Sequence, residues 1–368
     1  MSRRILMIID GLPGGGAEKV VLTLSKGLIE RGHRVTLFSL RTICEYSIPE
    51  GVDYQVVADR CKKPWRKLTE LDRRAALLDE AVEAAEASEG PFDLVLSHLH
   101  KTDRIVSRCK QLPPEKTWFC IHGVFSASYL ARRKGFSRWF KKLKTRSVYR
   151  HRNLVGVSQY VIDDLKEVFH VRPDKARVIC NPFDIEAIQQ LSREPCSLEG
   201  KDYLIHVGRF HQTKRHDRLL RAYAKSALTV PLVLIGQGSS EATAALKRLS
   251  EALNIADRVI FKGFTCNPYP WIRHARALIV SSDSEGFGNV LVEALICGTP
   301  IVSTRCPGGP ASIMTGDLAM GLAEMNEESL AATMRAVYQH PPALENLDLT
   351  VYSIEAVCQQ YLDLITPD

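Results

Sequence analysis

The chain has 368 residues, 45% apolar and 25% charged, enough for two domains with substantial cores and typical of a soluble globular protein. No uncharged apolar run approaches 18 residues and only five apolar residues separate Arg4 from Asp10, so neither a transmembrane helix nor a signal peptide is expected. The ten cysteines are scattered without a Cys-x-x-Cys pair, which fits free thiols in a reducing compartment rather than disulfides or zinc, and the net charge of +7 is unevenly placed.

Residues 4–9 form a short apolar run that reads as a buried parallel strand. The loop GLPGGG follows at 11–16, then a helix from 17 to about 31 with Val20, Val21, Leu24 and Leu28 at helical spacing, closed by Gly32. With a strand at 35–40 this is a Rossmann-like opening whose loop and helix N-terminus suit an anion. A dinucleotide site is the weaker reading, because the third fingerprint glycine is missing and no acid near 38–41 could hold a ribose, although Arg41 could favour a 2′-phosphate.

An amphipathic helix at 73–88 leads to a strand at 93–97, with His98 and His100 just beyond its end. The strand 117–121 ends in His122 and Gly123. Ligands of open α/β sheets bind beyond the carboxyl ends of the strands, so these histidines lie in the right zone, whereas a metal reading lacks carboxylate support. Between Glu115 and Asp163 stand eleven Lys or Arg and no Asp or Glu, and the rest of the chain is slightly acidic. Ten of those cations fall in 131–152, interleaved with Phe136, Trp139, Phe140 and Tyr149. A solvated helix face is the plain reading. Nucleic acid would fit the charge but no nucleic-acid motif accompanies it, and the combination suits an anionic membrane surface better. A strand at 154–157, Ser158 as N-cap of a helix at 159–169, and a strand at 177–180 complete this half. The weak pattern of 184–200, broken by Pro195, reads as a linker.

The second half restarts the series. A strand at 203–207 ends in Gly208-Arg209, with Lys214 five residues on, and a helix carrying Leu219, Leu220 and Tyr223 follows. A strand at 232–235 closes in Gly236-Gln237-Gly238, a helix covers 242–253, and a strand at 259–261 ends in Lys262-Gly263-Phe264. The strand 278–280 opens into a polar turn bearing Glu285, Gly286 and Gly288. A helix from 289 to about 297 is stopped by Gly298 in the position glycine favours, and a strand resumes at 300–303. Glu293 is flanked by Val290, Leu291, Ala294 and Leu295, so its carboxylate needs a donor, and a ribose diol would serve. Backbone N–H groups of the turn, with Gly286 and Gly288 permitting close approach, suit a phosphate. The rigid turn RCPGGP at 305–310, a helix at 328–338 and a final amphipathic helix at 352–364 close the chain.

The stretch SEGFGNVLVEALICGTPIVS, with its Glu-x7-Glu spacing of Glu285 and Glu293, closely resembles the retaining glycosyltransferases of family 4, which have the GT-B fold. The resemblance implies an α/β chain of two Rossmann-like domains facing a cleft: 1–183 with a returning helix at 351–368 for the acceptor, and 184–350 for a nucleotide sugar. It implies a catalytic set of Arg209 and Lys214 gripping the donor diphosphate, Glu285 on the sugar hydroxyls, and His122 near the donor sugar. Donor binding would further involve Gly15 and Gly16 near the phosphates and the acceptor, Gly208 beside Arg209, Gly263 and Phe264 bordering the base, Gly286, Phe287, Gly288 and Asn289 at the helix mouth, and Glu293 on the ribose. His98 and His100 are weaker candidates for the acceptor side.

Such an enzyme must stabilise negative charge growing on a β-phosphate oxygen, which fixed cations and a helix N-terminus can do without a metal. No Asp-x-Asp occurs, Asp283-x-Glu285 being the nearest imitation, so no metal or other cofactor is expected. Retention can run through a covalent carboxylate intermediate or by same-face attack, and the resemblance favours the latter. The GGGAEKVV opening and CPGGP resemble bacterial enzymes of lipopolysaccharide or lipid-linked oligosaccharide synthesis, which implies UDP-hexose or UDP-N-acetylhexosamine donors. It also implies a glycolipid or oligosaccharide acceptor and a cytoplasmic, peripheral place at the inner membrane. The alternatives are a UDP-N-acetylglucosamine 2-epimerase on the same fold, or an inactive nucleotide-sugar-binding partner subunit.

Overall fold

The structure, a computed structural model, describes residues 2–61, 69–131 and 133–365. Arg132 of the basic segment and 366–368 of the closing helix lie outside them. The chain divides into two compact units, Met1–Pro182 with Thr350–Asp368, and Phe183–Leu349.

The first unit is built on a seven-stranded sheet in the order β3-β2-β1-β4-β5-β6-β7: β1 Arg4–Ile9, β2 Arg34–Ser39, β3 Asp53–Val56, β4 Leu94–His98, β5 Thr117–Ile121, β6 Asn153–Gly156 and β7 Ala176–Val178. Every pairing is parallel. All six residues of β1 are buried, as expected of a central parallel strand covered on both faces. The helix Gly16–Glu30 buries Val20, Val21, Leu24 and Leu28 on one stripe, and Gly32 (φ +82°) turns the chain away. The last helix, Ile354–Leu362, belongs to this unit. Its Val357, Cys358 and Tyr361 join the same core, and Ser353 caps it by accepting from the Ala356 N–H at 3.1 Å. Glycine is needed where it docks: a Cβ on Gly27 would stand 2.0 Å from Ile354 Cγ2.

The second unit holds a six-stranded sheet in the order β10-β9-β8-β11-β12-β13: β8 Leu204–Val207, β9 Leu232–Ile235, β10 Val259–Gly263, β11 Ala277–Val280, β12 Ile301–Thr304 and β13 Leu322–Ala323. It too is parallel throughout, so both sheets share the doubly wound order with a switch beside the first strand. Its core runs from Leu219, Leu220 and Tyr223 through Leu234 and Ile279 to Met334. Leu291 is fully buried on the helix Asn289–Ile296, and its truncation to alanine should cost about 2–5 kcal/mol.

Two expectations need correction. Residues 184–200 are not a linker: Asp184 caps the helix Ile185–Leu191, accepting from the Ala187 N–H at 3.0 Å, and Ile188 is buried in the second unit. Tyr149 is no surface aromatic either. It ends the helix Gly135–Tyr149 fully buried, while Phe136, Trp139, Phe140 and Leu143 on another stripe are exposed.

Candidate active site

In the second unit the expected residues gather along one edge, the carboxyl ends of the strands. Gly208 and Arg209 follow β8, Gly263 and Phe264 end or follow β10, and the turn 281–288 follows β11. Arg209 is exposed and has no ion partner among the described residues. Phe264 is also exposed, and beside it the Lys262 ammonium lies 5.3 Å from the centroid of the Trp271 ring.

Lys214 closes a short 3-10 turn, Gln212–Lys214, and Arg215 after it takes a left-handed conformation, φ 49° and ψ 50°. That strained backbone is tied to the turn after β11. The Ser281 hydroxyl donates to Lys214 O at 2.8 Å, and the Asp283 N–H donates to Thr213 O at 2.8 Å. The Thr304 hydroxyl at the end of β12 donates to Ser282 O at 2.7 Å. These bonds set Lys214 beside Glu285: Nζ donates to Oε1 at 2.6 Å, and the Ser282 hydroxyl donates to the same oxygen at 2.5 Å. The lysine and the first glutamate of the Glu-x7-Glu pair therefore form one charged unit.

Asp283, the other half of the Asp-x-Glu imitation, turns to different cations. Arg218 donates to it at 2.7 Å and Arg215 at 3.1 Å. Arg218 is buried and also donates to Ser281 O at 2.9 Å, so a charged side chain pins the turn from beneath. Asp217 first, then Asp283, holds the Arg215 guanidinium further toward its charged form. Glu285 and Asp283 are thus each engaged by their own cations. Ser282, Arg215 and Arg218 were not singled out in the sequence, where Arg218 reads as the polar face of the helix His216–Ser226.

Gly288, at φ +101°, is the N-cap of Asn289–Ile296, a conformation that a side chain would strain. Phe287 is buried against the start of that helix, with its ring 6.3 Å from that of Phe183. Glu293 is half-buried about one turn along the helix and accepts from the Tyr269 hydroxyl at 3.1 Å. Tyr269, missed in the sequence, opens a short helix, Tyr269–His274. Below Gly208 lies His206, buried, with Nδ1 2.8 Å from Ile279 O; burial brings its pKa down to about 4.

In the first unit Gly15 is the N-cap of Gly16–Glu30, and its carbonyl accepts from the Tyr46 hydroxyl at 2.9 Å. His122 follows β5, half-buried, and its Nε2 lies 3.0 Å from Nδ1 of the fully buried His98, the rings stacked at 5.3 Å. Burial lowers both pKa values, that of His122 to about 4, so the pair is neutral at pH 7. His122 Nδ1 is buried with no partner among the described residues, and the ring lines a cavity of about 240 Å³ together with Ala17, His100 and Tyr129. His100 is turned instead to the Tyr149 hydroxyl, 2.8 Å away, which donates to Asp103 at 2.7 Å. Asp103 is fully buried, and that burial lifts its pKa to about 8.

Two parallel Rossmann-like units, the second carrying a cation–carboxylate cluster and a glycine-capped helix at its strand ends, define a glycosyltransferase of the GT-B kind. Residues 188–350 match the family model described as Glycosyl transferases group 1, and residues 14–187 that described as Glycosyltransferase Family 4, so the chain belongs to the family 4 glycosyltransferases. It is 27% identical over 330 residues to N-acetylgalactosamine-N,N'-diacetylbacillosaminyl-diphospho-undecaprenol 4-alpha-N-acetylgalactosaminyltransferase of Campylobacter jejuni, covering 89% of this chain and 87% of the relative. Over 151 residues it is 35% identical to the lipopolysaccharide 1,6-galactosyltransferase of Escherichia coli, covering 38% and 40% of the two chains. Among solved structures, Anabaena HepE in complex with UDP and glucose superposes with a TM-score of 0.75 at 17% identity over 98% of each chain.

Proposed function

We propose that this enzyme moves a hexose or N-acetylhexosamine from a UDP-sugar, with retention of configuration and without a metal, to a lipopolysaccharide-core or lipid-linked oligosaccharide acceptor. The names of the Campylobacter and Escherichia relatives support that acceptor class. The observation that carries the reading is the convergence of Arg209, the Lys214–Glu285 pair and the helix holding Glu293 on one edge of one parallel sheet.

In this mechanism Arg209 offers a planar fork and Lys214 a point charge to the diphosphate, while the N-terminus of Asn289–Ile296 adds its dipole. All three meet the negative charge that grows on the β-phosphate oxygen as the anomeric bond breaks. Glu285 accepts from the donor sugar hydroxyls and keeps Lys214 aimed. Glu293, steadied by Tyr269, accepts from the ribose diol. His122 turns its unpartnered Nδ1 to the sugar's outer hydroxyls, and the departing phosphate oxygen takes the acceptor's proton in same-face attack.

The acceptor meets the enzyme at an anionic membrane, at the cytoplasmic face of the inner membrane. Phe136, Trp139, Phe140 and Leu143 form an exposed stripe on Gly135–Tyr149, with Lys134, Arg138 and Lys144 exposed beside it, the composition of a helix that lies in a lipid interface. No helix among the described residues is long and apolar enough to cross a membrane. Radiolabelled UDP-sugars incubated with EDTA and candidate glycolipids test the function. Transfer or slow hydrolysis with retained configuration is expected; release of a new sugar isomer would mark an epimerase, and absence of any turnover a binding subunit.

A further inference from the structure

A second cavity in the first unit, of about 690 Å³, opens beside the carboxyl ends of β2 and β3. Its walls carry Arg41, Arg60, Arg73, Arg74 and Lys101, against Asp59 and Glu70. One further acid, Asp10, lies buried beneath and has to serve three of the cations. Its Oδ1 is 3.1 Å from Arg74 Nη2, and its Oδ2 is 2.8 Å from Arg41 Nε and 3.2 Å from Lys101 Nζ. Arg74 is itself buried, held also by Leu40 O at 3.0 Å and by Glu70 at 3.4 Å. Arg73 is matched by Asp59, whose pKa that bond lowers. Arg60 is exposed, with no ion partner among the described residues.

Among the described residues five cations thus face three carboxylates around one concavity, an excess of two positive charges where walls of low polarisability strengthen their mutual repulsion. Nothing in the donor chemistry uses these residues. We infer that the cavity binds a phosphate or diphosphate ester, and that this ester is part of the acceptor. Arg41 and Arg60 offer planar forks and Lys101 a point charge, while buried Arg74 fixes Asp10 and through it the other two. The inference rests on the transferase reading and adds to it the charged group by which the acceptor is held.

Inorganic pyrophosphate is the probe, titrated calorimetrically into the full chain carrying Arg209→Ala and Lys214→Ala, so that the donor edge does not compete. Binding should persist there and weaken about tenfold or more when Arg41→Ala and Lys101→Ala are added, as expected for losing charge-assisted hydrogen bonds. Arg60→Glu, at an exposed residue that does not threaten folding, should weaken it as well. Pyrophosphate binding that vanishes with Arg209 and Lys214, or that ignores Arg41, Lys101 and Arg60, would overturn the inference. Flotation with vesicles of phosphatidylglycerol and phosphatidylcholine separates an acceptor ester from a lipid headgroup. The Arg41→Ala, Lys101→Ala protein should float like its parent, and a loss of flotation would reassign the cavity to the membrane. UDP titrated into the otherwise unaltered chain reports on the donor reading separately.

Discussion

The two sheets share a strand order, yet their carboxyl edges are built differently. On the second, Lys214 is paired with Glu285, and Arg215 and Arg218 with Asp283, around a turn held by serine and threonine hydroxyls, and Arg209 stands outside these pairs. On the first, the polar groups beside β4 and β5 are buried and neutral, His98 with His122 and Asp103 with Tyr149, while cations crowd the neighbouring cavity in excess. An edge whose charges are already ion-paired holds its side chains rigidly, whereas buried neutral groups offer donors and acceptors without a fixed charge.

Removing a cation from the second edge should cut deepest. Arg209→Ala should lower kcat by about 10²–10³-fold with a much smaller change in affinity for the intact UDP-sugar, measured by single-turnover transfer, because its contact strengthens as the phosphate departs. The same substitution leaving kcat unchanged would erase the distinction between the edges. Next, replacing exposed Lys134, Arg138 and Lys144 by alanine should weaken binding to anionic vesicles about 100-fold, at about 1 kcal/mol for each charge. Trp139→Ala should weaken it further, in flotation at fixed lipid. Asp283→Ala should destabilise the protein by about 1–3 kcal/mol in urea titration, since it strands the buried Arg218.

The mildest effect is a slope with pH. His122 and His206 titrate near 6.5 when unfolded but near 4 when folded, so the stability they contribute is whole above pH 6.5 and falls away between about 6.5 and 4. Asp103 runs the other way: folded it titrates near 8, so its contribution declines as pH rises from about 4 to 8. Urea midpoints of His206→Gln should fall less steeply than the parent's on the acid side, and those of Asp103→Asn less steeply on the alkaline side.

Much of this architecture is legible in the sequence. The apolar runs of β1, β5 and β9 fall where pattern placed them, because a buried parallel strand leaves no room for polar residues. The glycine-bounded helix Asn289–Ile296 was equally plain. Elements held by tertiary contact were not. The strand β3, DYQV, is mostly exposed at a sheet edge and has no apolar alternation to betray it. The helix Ile185–Leu191 hid behind a proline, although Asp184 and the Ile185, Ile188 spacing were its signal. The Arg215, Arg218 and Asp283 cluster joins residues 65 or more positions apart through a left-handed turn, which no local pattern encodes. Tyr149 sat among cations in sequence, but helical periodicity turns it from the Phe136 stripe toward the core, where Asp103 meets its hydroxyl.

The central claim is that the second unit's strand edge grips a nucleoside diphosphate, with Glu293 on the ribose. Calorimetric titration of UDP in EDTA into the parent and Glu293→Gln proteins tests it most directly. Loss of a charged acceptor should weaken UDP about tenfold or more. Equal UDP affinity in the two proteins would contradict it.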